Sequence, residues 1–172
     1  MNQIAKFETV SWEQFLKDAR QLHPQQSEPA LRAAYENILL PQRKTKGAAG
    51  YDFHSAIAFL LNTQETIVIP TGVRVQIEEG WFLGILPRSG HGFKFRIQLD
   101  NTLGVIDADY YFAQNQGHIL VKITNDSKQK TQMDIRPGDA FAQGIFLPHG
   151  ITVDDEAEGI RRGGFGSTDE KR

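Results

Sequence analysis

The sequence predicts an all-β sandwich or barrel preceded by a short helical segment, and three observations predict it. After Pro41, apolar residues alternate in short runs: Ile67 and Ile69, then Val73, Val75 and Ile77, then Ile119, Val121 and Ile123. That period of two marks half-buried strands. Gly, Pro, Asn and Asp break the runs at short intervals, and no helical stripe stands between them, which argues against an α/β fold. Finally, a chain of 172 residues, 40% hydrophobic and 23% charged, has the size and composition of one domain with a sizeable core.

Taken in order, residues 1–40 form an N-terminal extension with two short helices. Ser11 followed by Gln14 has capping-box spacing, and Trp12, Phe15, Leu16 and Ala19 then share one helical face. Ser27 and Pro29 open a second helix whose stripe is Leu31, Ala34, Tyr35 and Ile38. These stripes are expected to pack on the core, with a partner-binding face as the alternative. Residues 41–158 hold the strands, including the apolar run Trp81 to Leu86 and a strand over about Ala140 to Leu147. Residues 159–172, rich in glycine and charge, form a tail expected to be mobile without a ligand.

Composition excludes several classes. With no cysteine there is no disulfide, thiol nucleophile or thiolate metal site. The 19 basic and 21 acidic residues give a net charge of −2, so no overall field draws nucleic acid. The longest apolar run, Ala56 to Leu61, is too short to span a bilayer. Residues Met1 to Glu8 lack an apolar signal core, so a cytoplasmic protein is expected, in the host cytoplasm if virus-encoded. No Gly-Lys-Ser/Thr phosphate loop is present, and the five histidines show no metal-ligand spacing.

Five blocks carry the chemistry. They are Ala49-Gly50-Tyr51-Asp52, Pro87-Arg88-Ser89-Gly90, Gly104 to Tyr110, Arg136-Pro137-Gly138-Asp139 with Ala142-Gln143, and Gly163-Gly164-Phe165-Gly166-Ser167-Thr168. Asp107 follows apolar Val105 and Ile106, where a carboxylate at a strand end can orient and deprotonate water. Asp107 and Asp109 could equally cap a turn. Ser89 and Gly90 after Pro87 offer a hydroxyl and a free amide for phosphate oxygens, although a strand-to-helix cap has the same residues. Asp52 reads as part of a tight turn entering a strand, and Gln143 as a strand residue that could simply satisfy the core. Phe165 in a glycine tail with Arg161, Arg162, Ser167 and Thr168 is suited to stacking on a base, against a disordered tail as the plain alternative.

In this order the blocks closely resemble the deoxyuridine triphosphatase (dUTPase) family, over about residues 39–169. The resemblance implies a distorted jelly-roll β-barrel that hydrolyses dUTP to dUMP and pyrophosphate, keeping uracil out of DNA and supplying dUMP for dTMP synthesis. It implies that Asp107 is the general base and that Tyr110 packs under the deoxyribose, leaving no room for a 2′-hydroxyl. A β-hairpin carrying Asn101, Gly104 and Ile106 would read the uracil and exclude the thymine methyl. Ser89, with Gly90, would donate to the oxygen bridging the α and β phosphates. Arg88 would pair with a carboxylate, for which Asp52 is the natural candidate, and Gln143 would bind phosphate. The tail would close over the nucleotide, with Phe165 and Gly166 on the uracil, Ser167 and Thr168 on the phosphates, and Arg161 or Arg162 reaching the γ-phosphate. Mg²⁺ would be held mainly by the triphosphate, with Asp52 meeting it through water. A homotrimer would share each site between subunits.

The chain departs from the family pattern in places. After Tyr110 it reads Tyr111 to His118 where the family continues with Arg-Gly, so the exit is longer. Ile160 stands where an arm arginine is usual, Asp169 replaces the final glycine, and His91 and Gly92 are unusual after the second block. Two rival readings follow. A dCTP deaminase of the same fold needs a glutamate base, and residues 87–110 contain no glutamate. A nucleotide-switched regulatory protein would bind a partner through the N-terminal helices or the 111–118 insertion.

Overall fold

The computed structural model describes residues 2–159, 161 and 163. Eleven strands appear among them. They are β1 (Ala5–Thr9), β2 (Tyr51–His54), β3 (Phe59–Leu61), β4 (Thr66–Pro70), β5 (Val73–Ile77), β6 (Trp81–Pro87), β7 (Ile97–Leu99), β8 (Gly104–Ile106), β9 (Leu120–Asn125), β10 (Met133–Ile135) and β11 (Ala140–Pro148). Every pairing is antiparallel. A four-stranded sheet runs β2-β11-β6-β8 and a three-stranded sheet β4-β9-β7, with β1-β5 and β3-β10 as two-stranded ribbons. Together they make the distorted jelly-roll barrel, whose core contains Phe53, Ile69, Val75, Leu83, Ile85, Ile106, Val121, Ile123 and Phe141. Alternation explains the placement: in β5, Val73, Val75 and Ile77 are buried while Gln76 is exposed.

The N-terminal helices are α1 (Trp12–Leu22) and α2 (Glu28–Glu36). Ser11 Oγ accepts from the Gln14 amide and Ser27 Oγ from the Ala30 amide, so both caps read from sequence are formed. The reciprocal half of the capping box is not made by Gln14. Gln116 accepts the Ser11 N–H at 2.9 Å instead, while the Gln14 side chain donates to Asp18. Phe15, Ala19 and Leu31 are buried with Val10 and Ala56 in a second apolar cluster. The sequence pattern placed no strand before Ser11, yet β1 pairs with β5 over Ala5–Thr9, opposite Ile77–Val73. Its alternation is masked by the charges of exposed Lys6 and half-buried Glu8, which pairs with Arg74 of β5.

Two further differences bear on the site. The expected β-hairpin around Asn101 is not a paired hairpin: β7 bonds to β9 and β8 bonds to β6. The Asp100–Leu103 turn therefore crosses between two sheets, because Ile97 and Leu99 bury on one and Gly104 and Ile106 on the other. The 111–118 segment is not a free protrusion. A 3₁₀-helix (Ala108–Phe112) leads into a turn whose Gly117 has φ +71, where a Cβ would lie 2.8 Å from the Tyr110 carbonyl oxygen. His118 follows, fully buried.

Candidate active site

Adjacent strands bring three of the blocks together. Asp52 on β2 stands opposite Gln143 on β11, and Gln143 stands opposite Leu86 on β6, two residues before Arg88. Directly opposed residues share a face, so Asp52 and Gln143 project side by side. Arg88 Nε donates to Asp52 Oδ1 at 3.0 Å and Nη2 to Oδ2 at 3.4 Å, and Nη1 donates to the Ala140 carbonyl at 3.1 Å. That carbonyl lies where the β11 register shifts between Ala140 and Ala142. The pair fixes a pocket of about 300 Å³ lined by Asp52, Arg88, Ser89, Gly90 and Gln143. Ser89 is the first residue of a short helix, α3 (Ser89–Phe95), and is exposed. Gly50 also lines the pocket, and a Cβ there would stand 2.8 Å from Gln143 Oε1, so a larger residue would displace the Gln143 amide. The Gln143 amide donates to the Pro87 carbonyl at 3.3 Å.

Sequence reasoning missed three lining residues, Lys44, Ala48 and His91. Lys44 Nζ stands 3.4 Å from Asp52 Oδ2. The signal for it was the basic run Arg43-Lys44-Thr45-Lys46 just ahead of the first block. Burial pushes the imidazoles of His91 and neighbouring His54 down, which keeps both neutral at pH 7. His54 Nδ1 is buried without a hydrogen-bond partner.

A second, mainly apolar pocket of about 420 Å³ lies beside the Asp100–Leu103 turn. Asn101 stands at its exposed edge, and buried Gly104 and Ile106 line it with Ile85 and Leu99. The two pockets share no lining residue.

Asp107 precedes the 3₁₀-helix and makes no capping bond with its side chain. Asp107 and Asp109 both meet Arg161, whose Nη2 is 2.7 Å from Asp107 Oδ2 and whose Nε is 3.1 Å from Asp109 Oδ1. Two carboxylates two residues apart attract the nearest cation, and Arg161 lies on these acids and not among the residues lining the polar pocket. Tyr110 is a core residue at 1% exposure. Its hydroxyl donates to the His118 carbonyl and accepts from Asn115 Nδ2, and burial raises its phenol pKa. The Arg161 guanidinium lies 5.5 Å from its ring centre, over the face expected to meet a sugar. The expectations for Arg162, Phe165, Gly166, Ser167 and Thr168 lie outside the described residues. Among the described residues no group of three or more His, Asp or Glu could cage a metal ion.

The chain is similar to known proteins in both sequence and fold. The dUTPase family model matches residues 36–169. A deoxyuridine 5'-triphosphate nucleotidohydrolase of Lactococcus lactis is 35% identical over 139 residues, covering 78% of this chain and 91% of that protein. One of Tolumonas auensis is 38% identical over 137 residues, covering 75% and 86%. The crystal structure of dUTPase from Streptococcus mutans superposes with a TM-score of 0.63 at 28% identity, covering 85% of this chain and 97% of that one. Since the family match spans most of the chain and takes in the polar pocket, the apolar pocket and Asp107 alike, the chain belongs to the dUTPase family.

Proposed function

We propose that the chain hydrolyses dUTP to dUMP and pyrophosphate by attack of an Asp107-activated water on the α-phosphorus. The observation that supports it best is the division of the site. An apolar pocket with room for a nucleobase is lined by Gly104 and Ile106, the latter next in the chain to Asp107, and a separate polar pocket holds Ser89, Gln143 and the Arg88–Asp52 pair. The water oxygen bonds to the α-phosphorus while its proton passes to Asp107. The bond from that phosphorus to the bridging oxygen breaks, and the electron pair leaves with pyrophosphate. Ser89 donates to the bridging oxygen, where charge builds as the bond breaks, so its contact strengthens in the transition state. Gln143 turns from the Pro87 carbonyl to a phosphate oxygen. Arg161 leaves Asp107 and Asp109 as the more highly charged triphosphate draws the tail, which frees the base and uncovers the Tyr110 ring. Mg²⁺ suits this site as a companion of the triphosphate, whose hard oxygens supply most of its ligands; when bound it neutralises the leaving pyrophosphate. Asp52 is committed to Arg88, so it would meet the ion through water and not directly.

The working unit is a homotrimer. One copy supplies the polar pocket, the second the apolar pocket with Asp107, and the third the tail. Phe93 at 94% and Ile151 at 78% exposure are apolar side chains available to subunit contacts.

Pyrophosphate release from dUTP, dTTP, dCTP and UTP tests the activity. Release from dUTP alone, reduced about 10²–10⁴-fold in Asp107→Asn, is expected. Equal release by Asp107→Asn would remove Asp107 as the base. No release from dUTP would overturn the reading, and ammonia from dCTP would replace it with deamination.

A further inference from the structure

The polar pocket presents an imbalance of charge that its assigned residues do not resolve. A triphosphate brings several negative charges, yet Arg88 is already spent on Asp52 and the Ala140 carbonyl. The other lining cation is Lys44. Its single ion pair among the described residues, 3.4 Å to Asp52 Oδ2, is too long for a strong hydrogen bond, and its side chain is 67% exposed. Such a pair is held weakly. The backbone beneath it is not loose. Arg43 Nη1 donates to the Lys46 and Ala48 carbonyls at 3.1 and 3.0 Å, the Ala48 amide bonds the Thr45 carbonyl, and the Arg43 guanidinium rests 5.9 Å from the Tyr51 ring. The loop is thus tied at its stem while Lys44 stands over the pocket on a flexible chain.

We propose that Lys44 is a substrate-binding residue that exchanges Asp52 for the β and γ phosphates of the nucleotide, and so selects a triphosphate over shorter phosphate chains. A lysine suits this role because its ammonium is a compact charge that can follow a moving phosphate, whereas the forked Arg88 is held in place by two acceptors. Asp52 loses little in the exchange, since Arg88 still satisfies both its oxygens. The contact forms on binding and persists through bond breaking, so it raises affinity without raising the turnover rate.

This inference rests on the polar pocket being the phosphate site, and the test separates the two. Binding of α,β-imido-dUTP, dUDP and dUMP to the full chain with Mg²⁺ is measured by calorimetry for the parent protein, Lys44→Met, Lys44→Arg and Gln143→Ala. Lys44→Met is expected to lose about tenfold in affinity for α,β-imido-dUTP, the size of one charged hydrogen bond, and to keep its affinity for dUMP. Its binding should depend less on salt, its KM for dUTP should rise with kcat kept, and Lys44→Arg should restore most of the loss. Unchanged binding of α,β-imido-dUTP by Lys44→Met, with Gln143→Ala weakened, would overturn the role of Lys44 alone. An equal loss for dUMP and α,β-imido-dUTP would overturn the selection by chain length. Unchanged binding by both variants would overturn the phosphate pocket itself.

Discussion

The polar pocket between β2, β6 and β11 and the seam between α1 and the 111–118 segment are built from the same kinds of group but finished differently. Among the described residues the pocket has one complete pair, Arg88–Asp52; Lys44 is held at 3.4 Å and Gln143 makes one long bond. In the seam nearly every polar group is matched. His118 Nε2 accepts from the Gly72 amide at 2.8 Å, which makes Nδ1 the protonated nitrogen, and Nδ1 donates to Asp18 Oδ2 at 2.6 Å. Gln116 closes the Ser11 cap, and Tyr111 donates to Glu8 Oε2 with Arg74 lying 4.4 Å over its ring. Arg74 Nε is the exception, buried without a partner. Half-satisfied polar groups are costly to hold and easy to re-pair, which suits a site that must exchange partners; a satisfied network fixes geometry. Ser11 and Asp18 at α1 are thus tied to Gln116 and His118 of the insertion.

Breaking the complete pair in the pocket should have the largest effect. Asp52→Ala leaves Arg88 without its carboxylate in a half-buried place. It should cost about 3 kcal/mol in urea unfolding, and the misplaced pocket should lower dUTP turnover about 10²-fold. A stable and active Asp52→Ala would show that Arg88 and Ala140 suffice to shape the pocket. In the seam the two effects should separate. His118→Ala should cost about 3 kcal/mol and speed amide exchange over Trp12–Leu22, while kcat for dUTP stays near that of the parent. Loss of turnover in a folded His118→Ala would mean that the seam reaches the active site.

Acid should sharpen the contrast with the smallest effect. The Lys6 ammonium and then the Tyr111 hydroxyl hold the Glu8 carboxyl down to about 2. Burial alone would raise Asp18, yet the His118 and Gln14 bonds hold it below its usual value. A carboxyl depressed on folding adds stability that is complete above its unfolded pKa and is lost as pH falls through its folded one. The Glu8 contribution is therefore complete above pH 4.5 and lost toward pH 2. Amide exchange in β1 should rise over that window, and Glu8→Gln should flatten the rise. Identical profiles for the two proteins would remove Glu8 as the cause.

Legibility in the sequence followed the range of the interactions. Short-range signals were readable: the caps at Ser11 and Ser27, the alternation of β4, β5 and β9, and the neighbourhood of Asp52 and Arg88 through their motif blocks. What depends on distant residues was not. Asp18 and His118 lie a hundred positions apart, and no local pattern links them. The strand β1 forms because β5 offers an edge, despite an N-terminal run interrupted by charge. The turn at Asn101 bridges two sheets because burial on each side overrides local hairpin pairing. In the site, the apolar lead-in of Asp107 fitted a turn cap equally well and its role as base came with the resemblance, whereas its pairing with Arg161 required the fold.

The central claim is that a working site joins the polar pocket of one copy to the Asp107 of another. Mixing two inactive variants tests it most directly. Asp107→Asn keeps an intact polar pocket, and Ser89→Ala keeps an intact base. After subunits exchange in an equimolar mixture, about a quarter of the sites should combine both intact halves if they come from different copies. Recovery of roughly a quarter of the parent rate of dUTP hydrolysis is the predicted result. A mixture no more active than its separate components, with exchange shown to be complete, would contradict the account by placing both halves within one chain.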